Sequence, residues 1–324
     1  MTRPAGTGTP KAGHVPRVLV MMATYNGADW VVEQLDSILA QQGVDVFVRV
    51  CDDRSTDGTF EVCRRYAREH ERVRVTQNEH NLGVALNFMQ MVYEEPASGF
   101  DCYAFSDQDD VWLPDKLITA ARAIDACSAH DGPILYYADM LNVGPDGERR
   151  EMLRFADCER HPGTVLVRNY VNGCAMVWNA RLQELARTFV PAEFPRIHDV
   201  WLHMLGRYCG TVIADYDHVL SRRRITGKNV VGETQTNLHG VAGVWELAKT
   251  ALPPYERACT RTARLFCEGF SDELNECGKR SLGAFLDYAN TPLGRFRILG
   301  NDDFWLPTAQ MRARMRAGFV LGFY

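Results

Sequence analysis

Three carboxylates crowd the segment Phe105-Ser106-Asp107-Gln108-Asp109-Asp110-Val111-Trp112, directly after the apolar run Cys102–Phe105. Carboxylates at the end of a buried strand are costly unless a cation or hydrogen-bond donors satisfy them. In an extended segment residues two apart point the same way, so Asp107 and Asp109 can face one ion together. Hard oxygen ligands at this density suit Mg²⁺ or Mn²⁺ bridging a substrate's phosphates. The other reading is an acid-rich helix N-terminus before Leu117, which the helix dipole favours without any ligand. A second segment, Cys51-Asp52-Asp53-Arg54-Ser55-Thr56-Asp57-Gly58-Thr59, is equally double-edged. Asp52 and Asp53 can accept hydrogen bonds from a nucleotide's base or ribose, while Ser55 or Thr56 can cap a following helix and Gly58 can serve a turn.

The elements that must position these loops alternate along the first half. Val18–Met22 reads as a buried strand. Trp30–Gln41 carries Val31, Leu35, Ile38 and Leu39 at helical spacing, with Asp29 as expected N-cap and Gly43 past the end. Strand patterns at Val44–Val50, Val73–Thr76 and Cys102–Ser106 enclose helical ones around Phe60–Ala67 and Val84–Tyr93. This β-α-β-α-β-α-β order implies a mostly parallel sheet with helices on both faces, whose ligands lie outside the carboxyl ends of the strands. Thr24-Tyr25-Asn26-Gly27, Asp52–Thr59, Gln77–Gly83 and Asp107–Asp110 all fall there. The order is less regular from Ile134 to Ser221, with a turn expected at Pro145-Asp146-Gly147, and helical from about Leu238 onward.

Composition narrows the class of protein. The 324 residues are 46% hydrophobic and 24% charged, so the chain as a whole is globular rather than disordered or coiled-coil. A net charge of −5 argues against a nucleic-acid-coating protein. No apolar run approaches the roughly 20 residues needed to span a bilayer, and residues 1–16 read as a flexible tail rather than a signal peptide. Ten cysteines without a C-x-x-C pair read as reduced thiols, and the expected location is cytoplasmic.

Taken in order, Met22-Ala23-Thr24-Tyr25-Asn26-Gly27, Asp52-Asp53-x-Ser55-Thr56-Asp57-Gly58-Thr59, Asn78-x-x-Asn81-Leu82-Gly83-x-x-x-Asn87-Phe88 and Ser106-Asp107-Gln108-Asp109-Asp110-Val111-Trp112 resemble the motifs of family 2 glycosyltransferases. These are inverting enzymes of GT-A (Rossmann-like) α/β fold that use nucleotide sugars. The resemblance is strongest to rhamnosyltransferase-type members of polysaccharide biosynthesis and covers about Arg17–Glu233. It implies a GT-A domain over 17–237, with a nucleotide-sugar half at 17–110 and an acceptor half at 111–237, followed by a helical extension at 238–324.

It also implies roles. Thr24, Tyr25 and Asn26 would line the nucleotide pocket, and Asp52 or Asp53 would read the base, with Asn81, Gly83 and Gln108 in the same site. Asp107 would sit near the ribose, and Asp109 would hold a divalent metal, Mg²⁺ or Mn²⁺, on the diphosphate. Asn172-Gly173-Cys174-Ala175-Met176-Val177-Trp178 matches the strand beside the sugar pocket, and Ile197–Leu202 the segment carrying the acceptor base, Asp199. Asp199 can also be a helix N-cap before Trp201. His198 and His203 are five apart and lack a zincin glutamate, so zinc is not expected, and His198 would support Asp199 or pack beside it.

Where the family often has a histidine before Gly-x-Asn-Val, this chain has Thr226 in Arg223-Arg224-Ile225-Thr226-Gly227-Lys228-Asn229-Val230. Arg224, or its neighbours Arg222 and Arg223 or Lys228, would then neutralise the diphosphate, the other reading being a solvated basic surface on an edge strand. The expected donor is dTDP-L-rhamnose, with UDP-sugars as the alternative and a silent nucleotide-sugar-binding partner as the non-enzymatic one. The acceptor would be a glycan or a lipid-linked glycan, with no nucleic-acid partner. Met311, Met315 and Phe319 share a face of an Arg-rich C-terminal helix, which can rest on a membrane or dock on the protein's own core.

Overall fold

A computed structural model describes residues 14–129, 131–144, 149–150, 155–225 and 254–324. The turn expected at 145–147, Thr226, Lys228 and the start of the C-terminal helical pattern (238–253) lie outside the described residues. The chain forms two compact units: Met1–Met152 with Val171–Val190 and Ile197–Arg224, and Leu153–Tyr170 with Pro191–Arg196 and Ile225–Tyr324.

The first unit is α/β. Strands β1 (Arg17–Thr24), β2 (Asp45–Asp52), β3 (Val73–Gln77) and β4 (Cys102–Ser106) alternate with helices α1 (Val31–Leu39), α2 (Thr59–Glu69) and α3 (Val84–Glu94). Then come β5 (Val111–Trp112), α4 (Lys116–Asp125), β6 (Ile134–Val143), β7 (Arg149–Arg150), β8 (Met176–Asn179), α6 (Ala180–Ala186), α7 (His198–Cys209) and β9 (Thr211–Arg224). α5 (Thr164–Val167) belongs to the second unit. The sheet order is β3-β2-β1-β4-β8-β6-β9-β5, with β7 on β6. β1 pairs in parallel with β2 and β4, β2 with β3, and β6 with β9, whereas β8, β5 and β7 join antiparallel.

At its centre, around β1 and β4, both faces of this sheet are dry, as a parallel sheet requires. Val18, Val20 and Met22 of β1 share one core with Val31, Leu35 and Ile38 of α1, Cys63 of α2 and Leu117 of α4. On the other face Phe105 of β4 meets Phe88 of α3 at 4.8 Å, Trp178 of β8 at 4.6 Å and the His198 ring of α7 at 5.1 Å.

Two expected caps are corrected. α1 begins after Trp30, without a side-chain cap from Asp29. α2 begins after Gly58, whose φ of +91° only glycine adopts without strain, so neither Ser55 nor Thr56 caps it. Both side chains face the β1 and β2 loops instead.

The second unit is helical where described, with α8 (Pro254–Phe270), α9 (Glu276–Asn290), α10 (Gly294–Arg297) and α11 (Ala309–Leu321). Phe319 packs against Tyr288 at 5.0 Å, Phe304 at 5.5 Å and Tyr324 at 5.0 Å. The Met315–Phe319 face is therefore buried in the unit's own core. Arg280 grips both carboxylate oxygens of Asp303, which also accepts the Ser281 hydroxyl at 2.7 Å.

Candidate active site

The loops after β1, β2 and β3 are bound to one another by the carboxylates of β2. Asp52 is fully buried and accepts from Thr24 Oγ1 (3.0 Å), Ser55 Oγ (2.5 Å), Ser55 N (3.0 Å) and Gln77 Nε2 (2.9 Å). Those four bonds fill the four lone-pair sites of a carboxylate. Asp53 accepts from Asn78 Nδ2, Leu82 N and Gly83 N, each at 2.8 Å, which leaves one site on Oδ2. Asn81 Nδ2 donates to the Asp53 carbonyl at 2.9 Å, and Asn78 reaches Asn87 at 3.1 Å. The Asn81–Gly83 segment is thus pinned beneath β2.

The β1 loop is held just as firmly. Asn26 has φ +51°, accepts Thr56 N at 2.8 Å through its side chain and gives its backbone N–H to Ser55 Oγ at 2.9 Å. Gln108 bridges Tyr25 in both directions, accepting from its N and donating to its O, each at 2.9 Å. A Cβ on Gly27 would lie 2.2 Å from Gln108 Cδ, so glycine is needed for this approach. The Tyr25 ring is half exposed.

Asp107 and Asp110, with Cys174, offer ligand atoms within 4.8 Å of one another; Asp109 lies outside that group. The period of two expected for Asp107 and Asp109 holds only for extended backbone, and β4 ends at Ser106. Both buried oxygens of Asp110 lack a hydrogen-bond partner among the described residues. Burial, then the charges of Asp107 and Asp109, pushes Asp110 up to about 7, against the Cys174 thiol and Lys116. Burial and the Asp107 charge push Asp109 up to about 6, and burial also raises Asp107.

Lys116, the first residue of α4, is a counter-charge to Asp107 and Asp110, as Arg223 is to Asp107 and Asp109. It is buried, donates to the Cys174 carbonyl at 2.5 Å and lies 3.9 Å from the Trp112 ring centroid; burial lowers it to about 8. Pairing of Val111 with Arg222 and Trp112 with Ser221 draws the end of β9 toward the acidic loop. Arg223 and Arg224 both favour the ionised form of Asp109. Arg224 itself pairs with Glu33 at 2.8 Å and stacks at 4.3 Å on Trp30.

The segment that contributes Cys174 also meets Asp199. A Cβ on Gly173 would lie 2.7 Å from His198 Nε2 and 3.5 Å from Asp199 Cβ, so only glycine fits there. Asp199 is buried in the first turn of α7 and accepts Val200 N at 2.7 Å; the N-cap is Ile197. The His198 ring lies 4.2 Å from that of Phe88, neither of its nitrogens has a hydrogen-bond partner among the described residues, and burial lowers it to about 3. It packs beside Asp199 as a neutral ring. His203 lies 5.9 Å from the Tyr137 ring and is likewise lowered to about 3 by burial.

The donor set fits a hard divalent cation. Two carboxylates converge, one with two buried unsatisfied oxygens, while burial keeps the Cys174 thiol protonated. The sequence reading gives Lys116 no role, and places Asp110 in the acidic loop and Cys174 beside the sugar pocket without naming either as a ligand. The available signal was a lysine starting the apolar face Leu117, Ala120 and Ile124 just after three acids.

Fold and site together define a GT-A-type architecture, with a carboxylate cluster at the carboxyl ends of the first strands. The fold is similar to that of S. aureus TarS 1–349, with TM-score 0.57 at 17% identity, covering 95% of this chain and 81% of that one. It also matches the mannosyltransferase PcManGT from Pyrobaculum calidifontis in complex with GDP-Man and Mn²⁺, with TM-score 0.52, 17% identity and coverage of 98% and 88%. The glycosyl transferase family 2 model matches residues 19–180, and the chain belongs to that family. It is 33% identical over 130 residues to the dTDP-rhamnosyl transferase RfbG of Shigella flexneri, covering 40% of this chain and 44% of the relative. The chain thus spans less than half the length of that relative. No helix among the described residues is long and apolar enough to cross a membrane.

Proposed function

We propose that this chain is an inverting glycosyltransferase of polysaccharide biosynthesis, moving L-rhamnose from dTDP-rhamnose to a hydroxyl of a glycan or lipid-linked acceptor. The observation that carries the reading is the convergence on one segment, Gly173-Cys174, of the acidic loop on one side and Asp199 on the other. Residues 17–110 bind the nucleotide sugar and 111–237 the acceptor, in a cytoplasmic protein that works against the inner membrane face. The similarity to RfbG supports rhamnose, and UDP-sugar is the second donor, supported by TarS structures in complex with UDP and UDP-GlcNAc.

Asp107 and Asp110, whose ligand atoms converge, would hold the cation, Mg²⁺ or Mn²⁺, with Asp109, the ligand the family resemblance implies, beside them on the same loop. When bound, it supplies positive charge against the diphosphate leaving group. Asp53 faces the base, with Thr24, Tyr25, Asn26, Asn81, Gly83 and Gln108 shaping the pocket, and Arg224 adds charge on the diphosphate side. Asp199 takes the proton of the acceptor hydroxyl. The acceptor's hydroxyl oxygen forms the new bond to the anomeric carbon from the face opposite the diphosphate, and the electron pair of the broken bond leaves with the nucleotide.

The test is a thermal-shift panel with dTDP, UDP, GDP and CMP, each with and without Mn²⁺. A nucleotide at about 100 times its Kd stabilises by roughly 2.7 kcal/mol, a shift of several degrees. A Mn²⁺-dependent shift with dTDP, lost in Asp109→Asn, supports the reading. A shift with UDP alone moves the donor to a UDP-sugar, and no shift with any nucleotide overturns the donor site.

A further inference from the structure

The second unit has large apolar side chains in water at one place. Leu293 (57% exposed) and Phe296 (63%) flank and occupy α10, and Val320 (44%) and Leu321 (59%) end α11. Among the described residues these are all of the exposed large hydrophobics in that unit. The two elements meet: a Cβ on Gly322 would lie 2.9 Å from the Arg295 guanidinium carbon.

Charge at this corner runs against that of the whole chain. Residues 293–324 hold five arginines and two aspartates, in a protein of net charge −5. One of the two, Asp303, is already taken by Arg280 and Ser281. Arg297 pairs with Asp287 at 3.4 Å and Arg261, nearby, with Glu193, so the positive charge of interest is that of Arg295 and Arg316. Helix α11 has three arginines and no carboxylate, and its exposed side runs Ala313, Arg316, Ala317, Val320, Leu321 at helical spacing. Beside it, Arg261, Arg264 and Arg295 line a cavity of about 310 Å³ with Thr260 and Tyr288.

Apolar residues interleaved with arginine match a bilayer interface, where rings and aliphatic chains enter the acyl boundary and guanidinium groups meet phosphates. A two-fold contact with a second copy would set these arginines against themselves. We propose that the α10–α11 corner docks on an anionic phospholipid bilayer. Phe296, Leu293 and Leu321 enter the surface, and Arg295 and Arg316 face lipid phosphates. The face involved is not the Met311–Met315–Phe319 face that the sequence pattern suggested. The inference does not depend on the donor assignment, because vesicles can be offered without substrate.

The experiment is flotation of the full chain with vesicles of phosphatidylethanolamine and phosphatidylglycerol, against phosphatidylcholine alone, at physiological salt. The protein floats with the anionic vesicles only. Phe296→Ser with Leu321→Ser lowers the bound fraction about tenfold at unchanged melting temperature, Arg295→Glu with Arg316→Glu does the same, and Leu86→Ser in the first unit changes nothing. As a readout without loss of packing, Phe296→Trp shows a fluorescence blue shift on adding anionic vesicles. Flotation equal on both vesicle types, flotation unaffected by either double variant, or no flotation with a dimer that Phe296→Ser dissociates would each overturn the proposal.

Discussion

Oδ2 of Asp53 sits 2.8 Å from the backbone nitrogen of Gly83, thirty residues further along the chain. That bond closes the β3–α3 loop onto the end of β2, and it marks how the two adjacent aspartates differ. Asp52 is saturated from within, whereas Asp53 keeps one acceptor site.

Asp52→Asn and Asp53→Asn should therefore separate. Each replaces a charged acceptor by an amide whose N–H₂ faces other donors, costing about 1.5–3 kcal/mol in urea unfolding. Only Asp53→Asn is expected to weaken nucleotide binding by the folded protein, by about tenfold. Equal nucleotide affinity in both variants, measured by calorimetry, would show that the free acceptor site is not used.

Lys116→Met removes the buried cation facing the acidic cluster. Breaking such a pair costs about 3–5 kcal/mol where the carboxylates are ionised. With Asp110 raised to about 7 and Lys116 lowered to about 8, the loss should be largest near pH 7.5, between the two, and smaller at pH 5.5, where that carboxyl carries its own proton. Denaturant titrations at the two pH values decide it; an identical loss would mean that packing, not charge, holds Lys116 in place.

Asp110→Asn should stabilise the metal-free protein at high pH. A carboxyl raised on folding holds its proton longer in the native state, so it erodes stability as pH climbs from about 4 to about 7. The gain at pH 8 is at most on the order of 4 kcal/mol, about three pKa units at about 1.4 kcal/mol each. Mn²⁺ affinity of the wild type should rise across the same interval with proton release, since the ligands must ionise. Calorimetry in two buffers of different ionisation heat reads both.

His198→Phe should relieve acid sensitivity. Burial lowers His198 from its ordinary value to about 3, so the unfolded chain gains a proton below about pH 6.5 that the native ring refuses. The variant's stability relative to wild type should improve by about 1.4 kcal/mol per pH unit on moving from pH 6 toward 4. Parallel pH profiles for the two proteins would rule out a buried neutral ring.

Gly173→Ala should act at a distance of one side chain. Its methyl would displace His198 and tilt the first turn of α7, at a stability cost of about 1–3 kcal/mol. Transfer should fall at least as steeply as in Asp199→Asn, while both variants keep nucleotide-induced thermal shifts. A Gly173→Ala protein with full turnover would break the link between this segment and the acceptor base.

The strands and loops that carry the first half were legible because their pattern is local. Val18–Met22 and Cys102–Phe105 are apolar runs ending in polar loops, and the structure places β1 and β4 around them. What could not be read was set by distant partners. Asp110 rather than Asp109 joins Asp107 in one group with Cys174, more than sixty residues downstream. Lys116 looks like a solvated helix start until Trp112 and the Cys174 carbonyl enclose it. The helical phase of Met311, Met315 and Phe319 was right, yet phase alone does not tell whether such a face meets lipid or its own core.

The two-residue strand β5 is held by Arg222 and Ser221, more than a hundred residues downstream. During synthesis the acidic loop therefore leaves the ribosome long before the strand that fixes its far side exists. Loop closure over so many residues is slow relative to local helix and hairpin formation. A nascent chain released before residue 224 would carry the β1–β3 half with its hydrogen bonds complete and its carboxylates unbraced. The proposed cation site is thus completed late in the life of each molecule, with the arrival of Cys174 and then of β9.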